Sequence, residues 1–436
     1  MKTNTTKLRR ALNTFAKTGK ITLTASALMA LALTAPVNAA EKNFSESVII
    51  EESTTVPAGD TYNYAVQEAD AVNPIPGDGH SSANSGLILN NGTMTVEGAV
   101  NLSSTFSSGT APGNVSNLII KNGGQFNVEK YTYMARHKGS VSNLTIEAGG
   151  EMNLTNSLYF ASRGEGNADI YGTLKISDGS FHIGANYTYA DGTFRDNAIG
   201  VVTVHKGGIV ELTGSGTHIS LGRFGSVNTT EKSVGIFNVD GGTVTALSIS
   251  SADDTGLNDP NSDTNYSHAE VNITNGGKLN VGTVYMPYGT GHVLVDGANS
   301  VLNADSYIRM DHKDFEVRNG GTVNAQSVTG GYADAAFVID GGTVNVTDTF
   351  ANSGNTANGG GLIIKNGGLL NLTGTNTIGG SGEIVISSGE IKTSDNTLAL
   401  TGKTLNYSGG TLPETLNLTK TVLNISNTAD WNVKNV

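Results

Sequence analysis

The residues that most suggest chemistry lie in one polar segment near the middle of the chain. Asp253 and Asp254 are adjacent, Asp259 and Asp263 follow at short intervals, and His268 comes next. Cleavage of a glycosidic bond needs two carboxyl groups, one acting as the acid and the other as the base or nucleophile. Oxygen ligands of the same type also suit a calcium ion. The segment is therefore a candidate for a hydrolytic centre or a metal site.

The surrounding sequence supports neither chemistry. Polygalacturonase-like β-helix hydrolases carry Gly-His-Gly and Arg-Ile-Lys motifs, whereas here Gly291-His292 is followed by Val293. The segment also lacks the EF-hand pattern and the Gly-Gly-x-Gly-x-Asp calcium pattern. A run rich in Asp, Asn, Ser and Gly is usually a solvated surface loop. We expect this segment to be such a loop, with neither a catalytic nor a metal-binding role.

Other catalytic patterns are missing from the sequence. It has no Gly-x-Ser-x-Gly nucleophile elbow, no Gly-Asp-Ser-Gly and no His-x-x-x-His pair among its 8 histidines. With no cysteine, it has no thiolate ligand and no cysteine nucleophile. We expect His182 and His205, at outward strand positions, to be surface residues. We predict no catalytic, cofactor-binding or metal-binding residues and no cofactor.

The first 39 residues are predicted to be an export signal. Six basic residues precede an apolar stretch, residues 21–35, that is too short to span a bilayer. Val37-Asn38-Ala39 supplies the small residues that a signal peptidase requires. Without the first forty residues, 20 basic residues remain against 38 acidic ones, a net charge near −18. Such an acidic chain lacks the basic surface that nucleic acids need, so we expect no nucleic-acid partner.

A short template recurs along the chain and determines the expected architecture. Two apolar residues spaced by one precede a polar turn that ends in glycine, and two more apolar residues spaced by one follow. The clearest copies are LIIKNGGQFNV from Leu118, LTIEAGGEMNL from Leu144, LKISDGSFHI from Leu174, VTVHKGGIVEL from Val202, VNITNGGKLNV from Val271, FEVRNGGTVNA from Phe315, FVIDGGTVNV from Phe337 and LIIKNGGLLNL from Leu362. With weaker copies included, thirteen turns lie between Gly92 and Gly410, 20 to 35 residues apart.

The template predicts strands joined by tight corners. Alternation places Ile120, Phe126 and Val128 inward, with Lys121 and Asn127 outward. Asn-Gly-Gly and Asp-Gly-Gly supply the residues that tolerate positive φ at such a corner. We therefore predict an all-β, right-handed, single-stranded parallel β-helix of about 13 coils, with a length on the order of 60 Å. A meander of β-hairpins could use the same turns and is the alternative fold.

Two sets of outward polar or aromatic residues are candidate binding surfaces. Asparagine recurs between the two apolar residues after the turn, either as a hydrogen-bonded ladder that supports the helix or as an amide face that binds a glycan or another rod. Tyrosines recur between the second and fourth copies and could lie on an exposed surface or at the corners. The asparagines are Asn127, Asn153, Asn280, Asn324, Asn345 and Asn371, and the tyrosines are Tyr131, Tyr133, Tyr159, Tyr187 and Tyr189.

The chain resembles the passenger domains of bacterial autotransporters. The resemblance lies in the segment ISLGRFG from Ile219 and the segment SVGIFNVDGGTV from Ser233, which are similar to a glycine-rich repeat of passengers and PEP-CTERM proteins. It implies a surface-exposed or secreted rod of a Gram-negative bacterium that acts as an adhesin or a self-association factor without catalysis. Its implied partners are an outer-membrane translocator barrel in cis and either another copy or a host or surface glycan or protein.

The expected organisation is a signal peptide at 1–39, an N-terminal cap and polar linker at 40–86, a β-helix passenger at 87–425 and a C-terminal stub at 426–436. A translocator barrel and a PEP-CTERM anchor are not recognisable before Val436, and the mature chain has no predicted transmembrane segment. Two alternative functions remain open. One is a secreted β-helix enzyme acting on polysaccharide, and the other is a structural spacer that displays a further C-terminal domain.

Overall fold

The apolar–polar alternation of the sequence produces strands with one buried face. In the strand Val115–Ile120, Leu118 and Ile120 are fully buried, while Asn117 and Ile119 face outward. The next strand, Gln125–Val128, buries Phe126 and Val128 in the same way, so the predicted inward and outward assignments are confirmed.

The computed structural model describes residues 21–22, 39–66, 71–72, 85–184, 197–222, 233–251, 267–287, 289–311, 314–330, 335–354, 360–426 and 431–436. The candidate carboxylates Asp253, Asp254, Asp259 and Asp263 lie outside these residues, as do Tyr187, Tyr189 and most of the predicted export signal.

The described residues form a long series of strands. The first half comprises β1 (Ile21–Thr22), β2 (Glu41–Phe44), β3 (Val48–Ile50), β4 (Thr54–Val56), β5 (Thr61–Tyr64), β6 (Ser85–Leu89), β7 (Gly92–Val96), β8 (Ala99–Leu102), β9 (Thr105–Ser108), β10 (Val115–Ile120), β11 (Gln125–Val128), β12 (Thr132–Tyr133), β13 (Val141–Ile146), β14 (Glu151–Leu154), β15 (Leu158–Phe160), β16 (Glu165–Ile170), β17 (Thr173–Ile176), β18 (Phe181–Ile183), β19 (Ala198–His205), β20 (Ile209–Leu212) and β21 (His218–Leu221). The second half comprises β22 (Ser233–Asp240), β23 (Thr243–Ser251), β24 (Ser267–Thr274), β25 (Lys278–Met286), β26 (Thr290–Asp296), β27 (Val301–Met310), β28 (Asp314–Arg318), β29 (Thr322–Gly330), β30 (Ala336–Asp340), β31 (Thr343–Asn352), β32 (Gly361–Lys365), β33 (Leu369–Leu372), β34 (Thr377–Gly379), β35 (Glu383–Ile386), β36 (Gly389–Thr393), β37 (Thr397–Thr401), β38 (Thr404–Tyr407), β39 (Gly410–Thr411), β40 (Thr415–Thr419) and β41 (Val422–Ile425).

Each coil contributes strands to two sheets. Sheet 1 has 15 strands, from β4 through β7 and β10 to β38 and β41. Sheet 2 has two limbs: the first limb follows the glycine turn and includes β2, β5, β8, β11 and β14, and the second limb follows a bend and includes β3, β6, β9, β12 and β15. In β23, β25, β27, β29 and β31 the two limbs are one continuous strand.

Strands of successive coils pair in parallel and in register, which establishes the parallel β-helix. Leu118 pairs with Leu144, and Leu144 pairs with Ala168 in the next coil. Every pairing between the strands described above is parallel, which excludes the hairpin meander in this part of the chain because hairpins need antiparallel neighbours. Among the described residues, no helix is long and apolar enough to cross a membrane.

The strand count refines the number of coils. One strand of sheet 1 per coil gives fifteen coils over the described residues, two more than the thirteen turns recognised in the sequence. The additional coils are those of β4 and β41. Strands β4 and β5, which fall in the predicted cap, already pair with the rod, since Val56 pairs with Val96 and Tyr62 with Val100.

One of the eight clear copies of the template occupies a different position from the one the sequence indicated. Leu174 and Ile176 lie on the first limb, and Phe181 and Ile183 lie on the second limb. Gly179 is therefore at the bend between the limbs, and the corner of that coil is at Gly172. A Cβ at Gly172 would lie 2.3 Å from the carbonyl oxygen of Glu147 in the preceding coil, which explains the glycine there.

The second glycine of each Gly-Gly corner is required by the preceding coil. A Cβ on Gly277 would lie 2.0 Å from the carbonyl oxygen of Val239, and one on Gly368 would lie 2.3 Å from that of Ile339. The first glycine of the pair adopts positive φ, as at Gly276 (81°) and Gly367 (77°). The corner therefore combines one conformational requirement with one of close approach.

Polar side chains interrupt the apolar core near the corner between the second limb and sheet 1. Ser85 and Ser107 share a hydrogen bond of 2.7 Å between their hydroxyls, and the guanidinium of Arg136 donates to the Ser107 hydroxyl at 3.1 Å. Lys403, only 2% exposed, donates from Nζ to the carbonyl oxygen of Gly380 at 2.9 Å. This corner therefore buries charge and satisfies it with backbone and hydroxyl oxygens.

Candidate functional surface

Outward asparagines of the first limb form two ladders. In each ladder the amide nitrogen of one asparagine donates to the amide oxygen of its counterpart in the preceding coil, over 2.7–3.0 Å. The N-terminal ladder comprises Asn43, Asn63, Asn101, Asn127 and Asn153, and the C-terminal ladder comprises Asn280, Asn303, Asn324, Asn345 and Asn371. The six asparagines recognised in the sequence are all members, so their predicted stacking is confirmed. The other four, Asn43, Asn63, Asn101 and Asn303, were not recognised in the sequence.

Three other side chains separate the two ladders. Lys175, Glu211 and Thr245 occupy the equivalent positions in β17, β20 and β23, as the strand register shows. The first limb therefore presents two amide faces with a charged interval between them.

The ladder bonds leave part of each amide available. A side-chain amide has two N–H donors and two acceptor lone pairs on oxygen. A ladder bond in each direction uses one N–H and one lone pair. The half-exposed amides can therefore still donate to and accept from a ligand, at intervals of about 4.8 Å along the rod.

A groove runs beside the C-terminal ladder where the two limbs meet. The register shifts at Val281/Thr283 in β25, at Ala304/Tyr307 in β27 and at Ala325/Ser327 in β29, because β27 and β31 each have one extra residue at this point. The bulges open a groove of about 660 Å³, lined by Asn280, Asn303, Ala304, Asp305, Asn324, Ala325, Gln326, Asn345 and Thr347.

Two exposed apolar side chains flank this groove. Leu247, in the coil before it, is 52% exposed, and Tyr307, at the bulge of β27, is 38% exposed. In the coil between them, Gly282 of β25, which has no side chain, lies at the position opposite this bulge. The groove thus has an amide wall with exposed apolar groups near its edge.

The outward tyrosines of the second limb form an aromatic stack. The rings of Tyr133 and Tyr159 are stacked with centroids 4.9 Å apart, and Tyr159 stacks on His182 at 4.7 Å. Tyr131 packs obliquely on Tyr133 and Tyr159. These tyrosines are half-exposed, but His182 is only 3% exposed, so the expectation that it is a surface residue is wrong.

His205 is also more enclosed than the sequence indicated. Its ring stacks on Tyr171 with centroids 4.1 Å apart, and its Nε2 lies 2.8 Å from the Asp169 carboxylate. It remains at the surface but is partly buried. Such stacking and pairing give His205 a structural role.

His268 has a carboxylate partner that the sequence analysis did not single out. Its Nε2 lies 2.7 Å from Oε1 of Glu270, two residues along the same outward face of β24, and His292 of the next coil approaches the same region. Burial pushes the pKa of Glu270 upward, but the hydrogen bond from His268 and the charges of His292 and His268 outweigh it, so the pKa lies below its usual value. The spacing of two residues between His268 and Glu270, which places both on one face of a strand, could have indicated this pair from the sequence.

A column of charged residues lies at the last position of sheet 1 before the corner. Asp296, Arg318, Asp340 and Lys365 are stacked in this order, with alternating sign. Asp296 pairs with Arg318 at 2.9 Å, and Asp340 pairs with Lys365 at 3.2 Å. Alternation removes like-charge contacts along the column.

Among the described residues, no group of three or more His, Cys, Asp or Glu side chains is arranged to hold a metal ion. A comparison with protein-family models and a comparison with curated proteins each gave no match to this chain.

Proposed function

We propose that the protein is an exported, non-catalytic rod that mediates adhesion or self-association at the surface of a Gram-negative cell. The observation that carries the proposal is the pair of outward amide ladders on one limb, each five asparagines long, with a groove along the C-terminal one. The resemblance to autotransporter passengers described above agrees with such a rod. Under this proposal its partner in cis is an outer-membrane translocator barrel.

The repeated surface gives a physical basis for adhesion. A single exposed hydrogen bond contributes only about 1 kcal/mol because water competes for both groups. A partner whose own groups repeat at the spacing of the coils can make many such bonds at once, and linked contacts strengthen one another through their effective concentration. Rigid coils also lose little entropy when they bind.

Net charge affects the two forms of adhesion differently. A mature chain near −18 repels another copy of itself, so self-association should strengthen as salt rises. The Debye length falls from about 30 Å at 0.01 M salt to about 8 Å at physiological ionic strength. Attachment to an uncharged surface should respond much less to salt.

Display of the chain on a non-adherent bacterium tests the proposal. The chain would be fused to a heterologous translocator, and clumping and attachment to surfaces would be measured at several salt concentrations. We expect increased clumping or attachment, unchanged by alanine at Asp253, Asp254 and His268. If neither clumping nor attachment increased although the rod is detected on the cells, the adhesive function would be rejected in favour of the spacer.

The His268–Glu270 pair next to the Asp-rich segment favours one second candidate, a hydrolase acting on polysaccharide. A carboxylate hydrogen-bonded to histidine is a common acid–base arrangement. Saturable release of reducing ends by the purified chain, abolished by the same three alanine substitutions, would support this candidate. Absence of turnover together with clumping would support the adhesive rod.

A further inference from the structure

We propose that the groove beside the C-terminal ladder binds a linear, uncharged polysaccharide that lies parallel to the rod axis. The inference rests on the proposed adhesive function and names the ligand class of one surface. The groove crosses the coils of β25, β27, β29 and β31, so its long direction follows the stacking direction. A linear polymer can therefore occupy it over several coils.

The amide wall matches the hydrogen bonding of sugar hydroxyls. Hydroxyl groups donate and accept, as do the free N–H and lone pair that each ladder amide retains. Asn303 and Asn324 are held in place because each donates to the preceding asparagine at 2.8 Å. Because these amides are already ordered, binding costs little additional side-chain entropy.

The edge of the groove supplies the apolar contact that sugar rings need. Sugar rings have faces of C–H groups that pack against aromatic side chains, and tyrosine is an efficient contact residue because it has few rotatable bonds. Tyr307 is 38% exposed, occupies the register position between Thr283 and Ser327, and follows the groove-lining Asp305 by two residues.

Charge distinguishes an uncharged polymer from an acidic one. The nine described lining residues include one carboxylate, Asp305, and no lysine or arginine. A second carboxylate, Asp348, lies close by and accepts a hydrogen bond of 3.4 Å from the hydroxyl of Ser327. A polyanion would place like charges next to these groups, which is unfavourable. The same repulsion disfavours a second copy of this acidic chain as the occupant.

Binding of defined oligosaccharides to the purified full chain tests the proposal. The probes are cellohexaose and the hexamer of N-acetylglucosamine as uncharged ligands and hexagalacturonate as the acidic ligand, measured by titration calorimetry. Gln326→Trp fills the groove, and Tyr307→Ala removes its aromatic edge. Gln125→Trp and Tyr171→Ala are the matched controls, because both positions are exposed and lie outside the groove. Thermal unfolding verifies that all variants fold.

We expect saturable binding of at least one uncharged hexamer and about tenfold or more weaker binding of hexagalacturonate. Gln326→Trp and Tyr307→Ala should weaken the binding by about tenfold, with the controls unchanged. No saturable binding of either uncharged hexamer, or equal binding by Gln326→Trp, would overturn the inference. Groove variants that reduce chain–chain association instead would identify a second copy as the occupant and also overturn it. Oligosaccharide binding without clumping or attachment of displaying cells would refute the adhesive function and leave this inference standing.

Discussion

Nη2 of Arg318 lies 2.9 Å from Oδ2 of Asp296, although the two residues are 22 positions apart in the chain. The contact exists because the two residues lie in adjacent coils and both occupy the last position of their strand in sheet 1. Because the coils stack in parallel and in register, residues that are one coil length apart in the sequence become neighbours in space. The residue type that suits each template position therefore depends on the residues at the same position in the two adjacent coils.

The charge column predicts a salt-dependent loss of stability on reversal of Arg318. Arg318→Glu would place three carboxylates in successive coils, with Asp296 and Asp340 as its neighbours. We expect destabilisation of about 1–2 kcal/mol at low salt and less at high salt, because these groups are partly solvated. Thermal unfolding at several salt concentrations measures it. Lys392→Glu, which disturbs only a pair within one strand, should have a smaller effect, and equal losses for the two variants would contradict the column.

Acid should destabilise the same column. The hydrogen bond from Arg318 lowers the pKa of Asp296 below its usual value, and the hydrogen bond from Asn366 does so for Asp340. Because the folded state favours the charged carboxylates, they stabilise it above the unfolded pKa near 4, and this contribution is lost as pH falls further. Between pH 6 and pH 2, the free energy of unfolding should fall more steeply for the native chain than for Arg318→Gln. Identical pH profiles would contradict this prediction.

The direction of the ladder bonds predicts different effects for two similar substitutions. Asn280 accepts from Asn303, so Asn280→Asp keeps that bond. Asn324 donates to Asn303 at 2.8 Å, so Asn324→Asp loses a donor and places a carboxylate against an amide oxygen. We expect a loss of about 1 kcal/mol or more for Asn324→Asp and much less for Asn280→Asp, measured by denaturant unfolding. The reverse order would mean that the amide orientations are exchanged.

Inward positions should tolerate charge far less than outward ones. Ile146, Ile273, Val317 and Ile364 are all fully buried in sheet 1. Aspartate at any of them buries a charge without a partner, so we expect severe local unfolding that spreads to neighbouring coils. Limited proteolysis mapped by mass spectrometry detects it. Lys121→Asp on the outward face is the control, and comparable protease sensitivity would refute the assignment of faces.

Lys403 should make the stability of the folded rod depend on pH in the alkaline range. Burial lowers its pKa from 10.5 to about 8, so between these pH values the unfolded chain binds more protons than the folded one. Stability therefore rises with pH across this window. Relative to Lys403→Met, the native chain should therefore gain stability between pH 7 and pH 11. A difference between the two proteins that stays constant over this range would contradict the prediction.

Sequence periodicity was sufficient to predict the strands of sheet 1 and of the first limb. Each corner has a glycine signal, and alternation on both sides assigns inward residues such as Ile120 and Phe126. The second limb was harder to recognise because its strands are short, as in β12 with two residues, and the bends before them have no fixed glycine. At Leu174 a glycine in such a bend was mistaken for the corner.

The candidate site depended on information that periodicity does not contain. The groove arises from bulges, and an extra residue such as Asp305 looks like continued strand in the sequence. The burial of His182 reflects packing between coils, which a single strand does not reveal. The ladder asparagines could be predicted, because their position relative to the corner is constant, whereas the direction of each amide bond could not.

The in-register pairing of β29 with β31 also makes rod length adjustable in whole steps. Thr322 pairs with Thr343, Val323 with Val344 and Asn324 with Asn345. Removal of residues 322–342 would join Gly321 to Thr343, which follows a glycine in the native chain as well. The shortened rod would keep its corner, its ladder and its core. Loss or gain of such a segment can therefore change the length of the rod while the remaining strands find partners of the same register, so the length can vary without a new fold.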